Sequence, residues 1–107
     1  MTRRAAKIDA NQGEIIAEFE RQGCGVKSLA GVGKGFPDLL VWCDGHHLVE
    51  VKNRKGKNRL TDDQIEFIDG WPGPVYVVRD RIEAMAMVQQ WRNSWQWGDP
   101  WPGEANA

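Results

Sequence analysis

Phe36-Pro37-Asp38-Leu39-Leu40-Val41-Trp42-Cys43-Asp44-Gly45-His46-His47-Leu48-Val49-Glu50-Val51-Lys52 holds two short apolar runs on either side of an Asp-Gly turn signal, the pattern of a β-hairpin. Because strand side chains alternate, Glu50 and Lys52 share one face and Val49 and Val51 take the other. Whether Asp38 joins the charged pair depends on the loop. A two-residue loop, Asp44-Gly45, sets Leu39 opposite Glu50 and turns Asp38 to the wrong face. An odd loop centred on Gly45 sets Leu40 opposite Glu50 and Asp38 opposite Lys52. The odd loop is the expectation here, since three- and five-residue connections are common and only they gather Asp38, Glu50 and Lys52.

Two carboxylates held close together repel unless a cation lies between them, and hard divalent ions such as Mg²⁺ take carboxylate oxygens. A lysine beside such a site can orient or deprotonate a metal-bound water, or neutralise charge growing on a phosphate. Metal-assisted phosphodiester hydrolysis is chemistry this set can carry. The same spacing also arises in an ordinary surface ion pair, Glu50 with Lys52 or Asp38 with Lys52.

Outward from the hairpin, the first element reads as a helix from about Ala10 to Gln22, with Asp9 and Gln12 as a capping box and Gly23 and Gly25 as a stop. Ile8, Ile15, Ile16 and Phe19 form its core side, and Asn11, Glu14 and Glu18 a polar stripe. A short strand is expected over Val26–Ala30. The run Gly31-Val32-Gly33-Lys34-Gly35 fails the phosphate-loop pattern, which excludes a nucleotide cofactor from the reading and leaves Lys34 as a candidate phosphate contact. Beyond the hairpin, Thr61 and Gln64 mark the N-cap and N3 of a helix whose Ile65, Ile68 and Trp71 are expected to face the core. Pro74–Val78 reads as a strand covered on both faces. Asp80 and Glu83 open a last helix with Ala84, Met85, Val88, Trp91 and Trp95 at core spacing. The fold class is therefore α/β, a single mixed β-sheet flanked by helices in the order α-β-β-β-α-β-α.

With 107 residues the expectation is one domain, over residues 9–95, between a basic arm (1–8, with Arg3, Arg4 and Lys7) and a Trp/Pro-containing tail (96–107). No apolar segment is long enough for a membrane helix or a secretory signal, so the expected location is the cytoplasm, with no membrane partner. Cys24 and Cys43 are too few for a disulfide framework and read as reduced packing residues; Cys43 with His46 and His47 makes only a weak zinc pattern. A net charge of −1 argues against a general nucleic-acid coat protein, yet Lys52–Arg59 carries five basic residues and no acid. Within it Arg54, Lys55, Lys57 and Arg59 can contact DNA phosphates, or the loop is simply solvated. Trp97 and Trp101, in the tail, suggest a subunit interface or a base-stacking surface.

Gly35-Phe36-Pro37-Asp38-Leu39-Leu40-Val41, then Glu50-Val51-Lys52, then Leu60-Thr61-x-x-Gln64 resembles the PD-(D/E)xK nuclease superfamily, most closely the VRR-NUC domain and related small phage-type, resolvase-like nucleases, over about residues 9 to 80. The resemblance implies a DNA endonuclease that uses Mg²⁺ or Mn²⁺. Asp38, Glu50 and the Val51 backbone carbonyl would hold the metal and Lys52 would be the catalytic lysine. It also implies an acid on the first helix, Glu14 by motif, although Glu18 lies nearer the apolar edge. Gln64 would sit beside the active site, in competition with its capping role. Relatives without extra domains are dimers that cut branched DNA, so a homodimer acting on a four-way junction is the implied assembly. A restriction-like sequence-specific nuclease and a non-catalytic DNA- or protein-binding module that keeps the fold are the alternatives.

Overall fold

A computed structural model describes residues 10–55 and 59–94. The elements are α1 (Ala10–Arg21), β1 (Gly25–Ser28), β2 (Leu39–Trp42), β3 (His46–Val51), α2 (Asp62–Gly70), β4 (Val75–Val78) and α3 (Arg81–Asn93). The four strands form one mixed sheet in the order β1-β2-β3-β4, with antiparallel pairs up to β3 and a parallel β3–β4 pair. A parallel neighbour cannot be reached by a tight hairpin, and α2 provides the crossover. The expected order and fold class are those observed. Ile8, the Asp9 cap, Lys57, Trp95, Trp97 and Trp101 lie outside the described residues.

The hairpin loop is odd, as expected, but its centre is Asp44 rather than Gly45. Leu39 pairs with Val49 and Leu40 with Leu48, a register that brings Asp38 opposite Glu50 instead of Lys52. Asp44 and Gly45 both adopt positive φ (56° and 147°), and the Cys43 N–H donates to the Gly45 carbonyl at 2.8 Å, so the chain reverses one residue early. Pairing slips by two positions in all, which leaves every side chain on its expected face.

One face of the sheet is the core. Leu39, Val41, Val49, Val51 and Val78 project from the strands against Ile15 and Phe19 of α1 and Ala84, Val88 and Trp91 of α3. The Trp91 ring stacks on His47 (centroids 3.9 Å apart) and on Phe19 (5.8 Å), so Trp91 is core, as its helical spacing implied. Cys24 and Cys43 are buried free thiols, and burial together with contact with Cys43 pushes the Cys24 thiol up to about 12.

The opposite face is thinly covered, and three expectations fail there. Helix α2 contains no buried residue, and Ile65 stays 45% exposed and Trp71 41% exposed. Its inward side is Gln64 and Phe67, three residues apart; Ile65 lies about 100° round the helix from Gln64 and points out. Strand β4 is half-buried over Val75–Val77 rather than enclosed, because among the described residues it is a sheet edge with β3 as its one strand neighbour. Strand β1 covers Gly25–Ser28, not Val26–Ala30, since the Ser28 hydroxyl accepts from the Ala30 N–H and the chain turns away.

Position of α2 is set partly by Gly35, which has φ +76° and no room for a side chain: a Cβ there would lie 2.2 Å from the Asp63 carbonyl oxygen. Gly35→Ala is therefore expected to destabilise the protein by about 2 kcal/mol or more through backbone strain and collision with backbone, read by thermal unfolding. An unchanged melting temperature would show that α2 is not seated on this turn.

Candidate active site

The C-terminal end of β3 delivers Glu50 and Lys52 to the open face. Both are unusually buried for charged residues, at 3% and 5% exposure. Asp38, on the residue before β2, reaches the same point from the neighbouring strand. Its Oδ2 accepts the Val51 N–H at 2.7 Å, which fixes the carboxylate. Asp38 and Glu50 are in hydrogen-bonding contact, and burial followed by the Asp38 charge pushes the Glu50 carboxyl up to about 8, against a smaller opposing pull from Lys52. At neutral pH without a cation, one proton replaces the missing positive charge between the two carboxyls.

Gln64 connects this cluster to α2. Its Oε1 accepts from Lys52 Nζ at 2.7 Å and from the Thr61 N–H at 2.9 Å, and its Nε2 donates to Glu50 Oε2 at 2.6 Å. The Thr61 hydroxyl accepts the Gln64 N–H at 3.2 Å, which completes a reciprocal capping box. The sequence sets the capping contact in competition with a place beside Glu50 and Lys52; the one side chain makes both sets of contacts, because an amide oxygen has two lone pairs and its nitrogen is free to donate. Lys52 Nζ lies 3.5 Å from Glu50 Oε2, close enough for charge attraction while its hydrogen bond goes to Gln64.

The acid expected on α1 is not brought to the cluster. Glu14 is exposed, and among the described residues no three His, Cys, Asp or Glu side chains converge to hold a metal. Glu18 is buried but engaged by Arg21, by Gln22 at 2.7 Å and by Arg81 at 3.7 Å, and the hydrogen bond from Gln22 leads in holding its carboxyl below the usual range. The α1 residue that does reach this end of the sheet is Asn11, whose Nδ2 donates to the Lys52 and Arg79 carbonyls at 2.9 and 3.0 Å. Its Oδ1 is buried without a partner. The sequence places Asn11 in a polar stripe, where a polar residue in the first helical turn is the one signal of this role.

Arg54 is likewise committed elsewhere. Its guanidinium bonds Asp80 at 2.8 Å and Glu83 at 2.6 Å, tying the start of the basic loop to the N-terminus of α3. That arrangement makes it a structural clamp rather than an open phosphate contact. Lys34, Lys55 and Arg59 are exposed. His47, stacked on Trp91 with Nε2 on the Cys43 carbonyl at 3.0 Å, is held as a packing residue.

Two carboxyls in contact on adjoining strand ends are oxygen donors of the kind a hard divalent cation takes, one of them held protonated chiefly by burial and then by its neighbour's charge. A family model for the VRR-NUC domain matches residues 12–72, which span α1, β1, β2, β3 and α2. No curated protein and no solved structure gives a match.

The raised Glu50 carboxyl sets a pH dependence for the metal-free protein. The folded state holds this proton more tightly than the unfolded chain, whose value is near 4.5, so the contribution is complete below about pH 4.5 and is lost as pH rises through about 8. Glu50→Gln removes the titration. The difference in unfolding free energy between variant and wild type is expected to move in the variant's favour by a few kcal/mol from pH 5 to pH 9, measured by denaturant titration. A difference independent of pH would mean that Glu50 is ionised throughout.

Proposed function

The chain belongs to the VRR-NUC family, a nuclease-type domain, and from that premise we propose that it is a divalent-metal-dependent DNA endonuclease centred on Asp38, Glu50 and Lys52. The observation that carries the reading is the buried carboxyl pair with an ammonium group beside it, all three side chains held by backbone or Gln64 hydrogen bonds. A solvated ion pair has no need of such restraint, and a positioning role does.

In this reading Asp38, Glu50 and the Val51 backbone carbonyl hold Mg²⁺ or Mn²⁺. The ion supplies Lewis-acid stabilisation of the charge that grows on the phosphate. Lys52 keeps its ammonium at the cluster because Gln64 accepts from it, and from there it donates to the attacking water or to a phosphate oxygen. Gln64 also holds Glu50 through Nε2, so one side chain ties Lys52, Glu50 and α2 together. Lys55, Arg59 and Lys34, all exposed, are the proposed phosphate contacts, with Lys57 in the same loop. Branched DNA cut by a homodimer is the proposed substrate and assembly, carried over from the resemblance to small resolvase-like nucleases.

Cleavage of labelled four-way junction, flap, duplex and single-stranded DNA in Mg²⁺, Mn²⁺ or EDTA tests this. Metal-dependent cleavage is expected, falling at least about 100-fold in Lys52→Ala while folding and DNA binding persist. Wild-type cleavage by Lys52→Ala would remove the lysine from the mechanism. A second expectation concerns Gln64→Ala, which leaves Lys52 and Glu50 unstrapped: cleavage drops about tenfold or more, and α2 keeps the Thr61 cap but loses the reciprocal bond to the Thr61 N–H, at a cost of about 1 kcal/mol in stability.

A further inference from the structure

Beside the carboxyl pair, the open face of the sheet forms an apolar cleft of about 250 Å³ lined chiefly by Phe36, Leu40, His46, Leu48, Trp71 and Pro74. Leu40 and Leu48 pair directly with each other and lie two residues along β2 and β3 from Asp38 and Glu50, on the same face. By the strand rise that is a displacement of roughly 7 Å from the acids. The wall is a chain of rings: Phe36 packs edge-on against Phe67 at 4.9 Å, and Phe67 stacks on Trp71 at 5.2 Å. Trp71 is 41% exposed, and beyond the far end Trp42, 46% exposed, meets His46 at 5.0 Å. Lys34, exposed, lies two residues before Phe36.

We propose that this cleft is a substrate subsite that takes one unpaired nucleobase next to the scissile phosphate, so that the enzyme acts on DNA with unstacked nucleotides at the cut. The proposal rests on the reading of Asp38, Glu50 and Lys52 as the phosphodiester-cleaving centre. Four observations favour a base as the occupant. The cleft is floored by Leu40 and Leu48, on the same face of the same two strands as the acids and about one nucleotide's reach from them. Its volume is below that of pockets for drug-sized ligands and suits a single planar ring system. Its mouth offers exposed aromatic faces, which stack bases irrespective of sequence. Lys34 lies two residues along the chain from the lining residue Phe36 and no acid lines the cleft, so the phosphates flanking the base meet no repulsion from its walls.

The test is anisotropy of a labelled short single strand, the same strand with abasic residues, and a blunt duplex, each titrated with the full chain in EDTA at pH 7. Wild-type protein is expected to prefer the single strand to both others. Trp71→Ala, an exposed position, should weaken single-strand binding about tenfold while leaving duplex binding unchanged, and Trp71→Phe should restore it. Equal affinity for intact and abasic strands, or single-strand binding indifferent to Trp71→Ala, would overturn the subsite. So would a sedimentation profile in which Trp71→Ala turns a dimer into a monomer with DNA binding intact, because the cleft would then be a contact between copies. Cleavage plays no part in this assay: failure of the nuclease reading would appear separately, as loss of metal-dependent cleavage on every substrate with wild-type protein.

Discussion

Three hydrogen bonds made by the Gln64 side chain hold together what would otherwise be two separate pieces. Helix α2 buries no residue of its own, so hydrophobic packing does little to seat it beyond the Phe36–Phe67–Trp71 ring contacts. What places it is polar: Gln64 bonds Glu50 and Lys52 across to β3 and the Thr61 N–H within its own first turn. The same bonds satisfy a buried carboxyl and a buried ammonium that would be costly if left alone. Helix position and charge cluster are therefore one construction, and disturbing either disturbs both.

The sheet has a division of labour that follows from this. Its α1/α3 face is filled with Val, Leu, Ile and aromatic side chains and supplies the stability. Its α2 face is left open, with acids and lysine at one end and an aromatic cleft beyond them. Strand backbone underlies both and sets Asp38 beside Glu50, with Asp38 anchored on the Val51 N–H. A charged cluster on loops alone would relax apart.

Much of this was legible in the sequence because alternation is a rule of parity. The charged and apolar faces of β3 follow from spacing alone, and an odd loop is enough to put Asp38 with Glu50, whichever residue stands at its centre. The pairing itself was not legible, because Asp44 can adopt positive φ as well as glycine can. Burial of α2 was misjudged for a related reason. Apolar residues at helical spacing were assigned to a core, whereas Gln64 fixes which side faces inward and leaves Ile65 outside. Long-range polar ties carry no local signature: Asn11 to the Lys52 and Arg79 carbonyls, and Arg54 to Asp80 and Glu83, join residues far apart in the chain. Residue type reveals the capacity for such bonds, but only the fold selects the partner.

The central claim is that Asp38 and Glu50 would form a cation site in which Glu50 releases its proton to the buffer as the metal binds. Calorimetric titration with Mn²⁺ at pH 7 in buffers of different ionisation enthalpy measures that exchange directly. Close to one proton released for each ion bound, with both binding and release lost in Glu50→Gln, is the predicted result. Metal binding without proton release, or binding that survives Glu50→Gln unchanged, would contradict it.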